Sequence, residues 1–443
     1  MKKIILFIIT LNFISAQIDQ QKRSLTIYKD NFAIINEPVI WNLNAGKNIS
    51  TFSNLPKNLF YDSPILNIEG VQVLSQTLNK NVSNTDVFLR KSRGTTIEIK
   101  PKDGPIVQGT LMDYSGSSIS IKTTKGLVVY QRAQISYFTL KSLNFQNKFT
   151  PEISWEIFSP TDISINAALS YIASDFSWKP IYRLILNSEN SIALMSVNAE
   201  ITNNSNISLF ALDINVVEGN VPLSSYSRGS EYQTIESRSS SMNSGNNLGD
   251  FYIFDLGSNL NLESMQTIQF PLMNETPIEY EKKYLFRNSE RDQGDEPLDI
   301  EISFENTKEN NLELPLPSGI LFLYEKDQLG LMRFIGKDSL SQLYKGGTAI
   351  LDGGKTSDIV GKRRILNFDR QTKSEESTIS LQIINTSNKS IKVKAIEKII
   401  GDWVIKESSS MYIKEDASTI YFPLEIEPGQ TELITYTYKK EWK

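Results

Sequence analysis

Apolar and polar residues alternate with a period of two along much of this chain, most clearly from Ile163 to Leu186, ISINAALSYIASDFSWKPIYRLIL. Ile163, Ile165, Ala167, Leu169 and Tyr171 are apolar, while Ser164, Asn166 and Ser170 between them are polar, the signature of a half-buried strand. Asp175, Ser177 and Lys179-Pro180 interrupt the pattern, because Pro180 has no donor for a ladder and biases Lys179 toward extended geometry. Tyr182, Leu184 and Leu186 then resume one apolar face. The stretch predicts a β-hairpin whose Tyr171, Trp178 and Tyr182 anchor a sheet-on-sheet core.

Similar alternation, punctuated by Gly, Asn, Asp and Pro, runs through the rest. Leu25 to Leu43 predicts a first strand pair with a turn at Lys29-Asp30-Asn31. Turns come closest together from Thr95 to Leu140, where Asp103-Gly104, Ser115-Gly116 and Lys125-Gly126 separate short strands. Five strands in so few residues suit a small closed barrel of SH3-like or Sm-like type, a module that can bind a peptide but more simply packs. A strand running into an Asn-containing turn recurs at 199–206, 302–307 and 381–388. Asn suits such corners because it tolerates the left-handed region and bonds its own backbone. Ser224 to Gly249 and Arg287 to Pro297 are polar breaks that read as exposed loops.

The expected fold class is therefore all-β: several β-sandwich, immunoglobulin-like modules with a small SH3-like or Sm-like barrel inserted. In chain order the expected modules begin with a signal peptide at 1–16 and an N-terminal β module at 17–94. The small barrel follows at 95–140, then a central β-sandwich at 141–310 carrying the polar loop 224–249. Residues 311–443 form a C-terminal β region ending in an immunoglobulin-like domain.

Composition adds compartment. Met1-Lys2-Lys3, the mostly apolar run to Ile14 and Ser15-Ala16 have the charged start, short apolar middle and small-residue exit of a secretory leader. Cleavage after Ala16 is expected, with the mature chain in the periplasm or outside the cell and without a transmembrane segment. Losing Lys2 and Lys3 lowers the 46 Lys and Arg to 44 against 51 acidic residues, so the net charge moves from −5 to −7. A diffuse acidic balance argues against nucleic acid as a partner.

The chain has no Cys and no His. That removes disulfides, the Ser-His-Asp triad, thiol nucleophiles and the usual zinc ligands, and no cofactor is implied. Gly354-Lys355-Thr356 looks like the end of a phosphate-binding loop, but Ala349 stands where the motif needs Gly, so it reads as a turn. Paired carboxylates remain as possible chemistry, the glycosidase arrangement. Asp175 near Trp178 could serve, although an Asp forming a turn is the simpler reading.

Four segments together resemble a known family: SYIASDFSWKPIYRLIL, AEITNNSNISLFALDINVVEGNV, ELPLPSGILFLYEKDQLGLMRFIGKDSL and GDWVIKESSSMYIKEDASTIYFPLEIEPGQTELITYTY. In this order they resemble exported bacterial proteins whose main region is a domain of unknown function, some of them called mucoidy-inhibitor-like. The resemblance implies an exported, mostly β protein and carries over no catalytic residue. Larger members place a coiled coil between their two parts, where this chain has the small-barrel stretch. The expected function is non-catalytic binding or scaffolding in the cell envelope, with an envelope protein or polysaccharide as partner. A carbohydrate-active enzyme using a pair of carboxylates is the alternative.

Overall fold

A computed structural model of the chain describes residues 23–79, 85–141, 150–187, 191–219, 221, 247–248, 251–327 and 329–442. The expected signal peptide and most of the polar loop 224–249 lie outside the described residues. The fold is all-β, as the period-two patterning requires. Among the described residues the α-helix is the short Thr85–Lys91, and no helix is long and apolar enough to cross a membrane.

The strands form two compact units, each discontinuous in sequence: Met1–Ser177 with Thr202–Thr267, and Trp178–Ile201 with Ile268–Lys443. The units are thus not consecutive modules, because the chain leaves the first, returns to it and leaves again.

In the first unit a seven-stranded sheet has at its centre Ser24–Tyr28, Phe32–Leu43 and Ile163–Ser174 as neighbours. Ser24–Tyr28 pairs antiparallel with Phe32–Leu43 and parallel with Leu209–Glu218. Gly46–Ser53, Glu152–Ser159 and Gln72–Asn79 make a three-stranded sheet. The stretch 95–140 folds as its close-set turns demand, into a curled five-stranded sheet in the order Ile135–Leu140, Thr96–Pro101, Val107–Tyr114, Ser118–Thr123, Gly126–Gln131. Ile97, Ile99, Leu111, Ile119 and Ile121 fill its concave side with Leu89 of the helix. The outer strands meet through the 3-10 turn Arg132–Gln134 and form no ladder in the sheet, so it is a half-barrel rather than a closed one.

In the second unit a five-stranded sheet runs Gln266–Glu279, Ile192–Asn203, Phe176–Asn187, Gly319–Lys326, Met332–Leu340. A nine-stranded sheet runs Asp402–Ser408, Thr431–Glu441, Ser374–Asn385, Thr348–Arg370, Gly294–Glu305, Glu281–Ser289, Ile391–Lys398, Thr419–Ile426, Ile413–Lys414. Two cores result. Tyr182, Leu184, Met195, Leu321 and Leu323 of the small sheet pack with Ile302, Phe304, Ala349 and Leu351 of the large one. Farther along the same long strands, Leu298 and Ile359 join Leu381, Val393, Phe422 and Tyr436 in a second core, lined by strands from both halves of the large sheet. Register shifts at Pro297/Asp299 and Asp299/Glu301 let one strand serve both cores, the re-aiming that β-bulges provide.

The strands Ile163–Ser174 and Phe176–Asn187 do not form the expected hairpin. The first pairs with Phe32–Leu43 over its whole length, and the second pairs parallel with Gly319–Lys326 from Ile181 onward. One residue, Asp175, lies between them with φ 74°, and one residue is fewer than a hairpin loop requires. The chain turns a corner there into a different sheet. Lys179-Pro180, expected as a turn, lies inside the strand just ahead of the parallel ladder that begins at Ile181.

Candidate functional site

A groove runs across the outer face of the nine-stranded sheet. Five neighbouring strands, Thr348–Arg370, Gly294–Glu305, Glu281–Ser289, Ile391–Lys398 and Thr419–Ile426, form its floor. Four interstrand steps of about 4.8 Å give a width of roughly 19 Å. Register decides what faces it. Lys283 stands opposite Glu301, Lys392 opposite Glu425 and Lys394 opposite Pro423, while Val393, Ala395 and Glu397, one residue out of phase, are buried.

Three hollows of about 420, 480 and 600 Å³ make up the groove. Arg287, Asp299, Glu301, Asp338, Asp352 and Lys355 line the first. Lys283, Glu301, Lys392, Lys394, Tyr421 and Glu425 line the second, and Glu279, Tyr280, Glu281, Lys283, Glu305 and Glu309 line the third. Glu301 is shared by the first two and Lys283 by the second and third, so the hollows adjoin.

The charges in the groove hold one another. Arg287 contacts Asp299 at 2.7 Å and Glu301 at 3.9 Å, and Lys355 approaches Asp299 at 3.7 Å. Lys283 and Lys392 share Glu281 at 2.6 and 3.4 Å. The Lys283 hydrogen bond keeps the Glu281 carboxyl below the usual range. Asp338 accepts the Asp352 N–H, and Asp352 accepts that of Gly354, both at 2.8 Å. Those two bonds shape the bend at Asp352-Gly353-Gly354, where Gly354 has φ 80°. The Gly-Lys-Thr near-motif is therefore a kink in a strand, with no following helix. Burial pushes the Tyr280 phenol up to about 12, and its hydroxyl donates to the Asn187 carbonyl at 3.1 Å, which keeps it neutral.

A general acid at neutral pH needs a raised pKa and a place beside the substrate. Among the described residues the carboxyls that burial pushes up are Glu37 and Glu397, and both are buried with an arginine. Glu37 bonds Arg23 at 2.6 Å and Tyr171 at 3.3 Å. Glu397 takes the Arg363 fork at 2.9–3.1 Å and the Tyr436 hydroxyl at 2.5 Å. Burial opposes the charge on Arg363 too, but Glu397 outweighs it and raises the guanidinium. With three bonds between them, the pair is ionic. These are structural contacts, and in the groove Asp299 and Glu281 are held in ion pairs and Asp338 and Asp352 in turns. The arrangement can hold a polar, extended ligand.

Of the residues singled out from the sequence, Trp178 and Tyr182 share the inward phase of one strand, 4% and 0% exposed, and Tyr182 donates to the Pro317 carbonyl at 2.6 Å. Tyr171, also buried, belongs to the first unit and to Glu37. Asp175 accepts from Asn58 at the corner, the turn role rather than the acid role. The groove residues escaped sequence reading because their strands are joined by ladders, which leave no local mark; Lys283 and Lys392, for example, lie on neighbouring strands more than a hundred positions apart. A comparison with protein-family models finds no match, and none is found among curated proteins.

Proposed function

We propose that the chain is an exported cell-envelope protein that binds or scaffolds without catalysis, and that the groove of the second unit receives its partner, an envelope protein or polysaccharide. The observation that carries this reading is the pairing of the groove carboxylates with Arg287, Lys283, Lys392 and Lys355. A ligand with spaced polar groups could exchange for these exposed pairs, each contributing only about 0–1 kcal/mol. The leader-like start and the resemblance to exported proteins support a periplasmic or extracellular location.

Four acids in one hollow, Asp299, Glu301, Asp338 and Asp352, favour the alternative of a carbohydrate-active enzyme enough to test it. Purified mature protein should release no new reducing ends from envelope glycans. Cross-linking in the native envelope should capture a neighbour that Lys283→Gln with Glu301→Gln loses. Glycan turnover abolished by one carboxylate substitution would reject the non-catalytic reading.

A further inference from the structure

The outer face of the five-stranded sheet in the second unit has a composition unlike the rest of this acidic protein. Its register places Phe322 beside Lys337, Tyr324 beside Phe334 and Lys326 beside Met332, with Arg183 next to Phe322 and Ile185 next to Tyr324. The rings form one cluster. Phe334 lies 6.4 Å from Phe322 and 5.8 Å from Tyr324 between centroids, and it is 59% exposed. Lys337 Nζ sits 5.6 Å over the Phe322 ring, the distance of a cation–π contact.

The charge of this face is positive. Arg183 donates to the Gln269 side-chain oxygen at 3.1 Å, and the Asn198 amide, turned so that its oxygen faces the guanidinium, accepts at 2.7 Å. These neutral partners orient the guanidinium without cancelling its charge. The carboxylate in this ladder, Glu200, is held by Lys179 at 2.8 Å and by Gln269 at 2.8 Å. Glu200 also feels Arg183 and offsets part of its charge, while Lys337 and Lys326 keep the face positive beside the exposed Phe334 ring, in a chain with formal net charge −5.

We propose that this face binds a polysaccharide bearing carboxylates, of the uronate class. A pyranose has an apolar ring face that stacks on Phe334 and Tyr324, and its carboxylate is matched by Arg183, whose fork suits two oxygens, and by Lys337. Charge complementarity selects an acidic over a neutral glycan, and the few cations do not supply the many phosphate contacts a nucleic acid requires. The proposal rests on the binding reading but on a surface other than the groove.

The test uses the full mature protein with polygalacturonate, dextran, dextran sulfate and a single-stranded oligonucleotide, followed by affinity electrophoresis and calorimetry. Polygalacturonate should bind, and dextran should not. Phe334→Ala and Arg183→Gln should each weaken binding about tenfold or more, about 1.4 kcal/mol, while Phe334→Trp retains it. Lys283→Gln with Glu301→Gln in the groove should leave it unchanged. No binding to polygalacturonate overturns the proposal. So does equal binding of dextran sulfate that is indifferent to Phe334→Ala, or a preference for the oligonucleotide. Loss of polygalacturonate binding in the groove variant alone overturns this surface while leaving the binding reading intact; turnover of the glycan would reject the non-catalytic reading instead.

Discussion

Three asparagines show what a single amide can do in a fold without disulfides. Asn203, Asn306 and Asn385 are each 0% exposed, and each Nδ2 donates to three backbone carbonyls. For Asn203 these are Ile207, Leu262 and Glu263; for Asn385 they are Lys389, Ile426 and Glu427. Asn306 reaches Leu314, Leu343 and Tyr344. Each clips the end of its own strand to a second corner. Asn385→Ala should therefore leave buried carbonyls unpaired and cost about 1–3 kcal/mol, read from the urea midpoint at unchanged m. Asn385→Asp should cost more, since it sets a carboxylate against carbonyl oxygens; equal midpoints for wild type and Asp variant would refute the clip. The recurring strand-then-Asn pattern was visible in the sequence, but the second corner that each amide holds was not.

At the scale of the element, alternation marked strands correctly, whereas partners were hidden. Leu184 and Leu186 read as one inward face and are buried, yet the neighbour that covers the strand edge, Gly319–Lys326, lies more than 130 positions away. Local chemistry at Lys179-Pro180 suggested a turn, and the parallel partner allowed the strand to run straight through it. That partner approaches closely. A Cβ on Gly319 would stand 2.5 Å from the Pro180 carbonyl oxygen and 2.9 Å from the Tyr182 ring. Gly319→Ala should destabilise by about 1–3 kcal/mol through overpacking, and a thermal melt would show it. An unchanged melting temperature would mean that the two strands are not neighbours.

Charge at the element scale gives a pH dependence. Lys283 lowers Glu281, and Lys179 lowers Glu200. A carboxyl depressed in the folded state binds protons more weakly than in the unfolded chain, so its stabilisation is present above the unfolded value of about 4.3 and is lost as pH falls through the folded one. Stability should decline below roughly pH 4, and Glu281→Gln should remove this small stabilisation at neutral pH and make the acid limb shallower, the two proteins converging at low pH. An acid limb of identical slope in the variant would show that the Lys283 pair does not form in solution.

For the whole molecule, the consequence of the fold is that chain order and structural order differ. The second unit takes its central strands Phe176–Asn187 and Ile192–Asn203 from ahead of the Leu209–Leu262 hairpin region, which belongs to the first unit. Residues 311–443, by the sequence pattern a C-terminal β region ending in an immunoglobulin-like domain, lack those strands and also Glu281–Ser289 and Gly294–Glu305 from the middle of the large sheet. Leu321, Leu323 and Leu340 would then lose the side chains that cover them, at about 1.5–3 kcal/mol for each apolar side chain returned to water. Expressed alone, 311–443 should bind a hydrophobic dye and unfold without a cooperative transition. A fragment that keeps the unit together should behave otherwise. The Thr202 and Thr267 hydroxyls lie 3.0 Å apart on neighbouring strands, so 204–265 can be replaced by Asn-Gly, the two-residue turn that antiparallel neighbours favour. Residues 176–443 joined in this way should give a cooperative urea transition. A cooperative 311–443, or a molten joined fragment, would show that the sheets are divided along the chain after all.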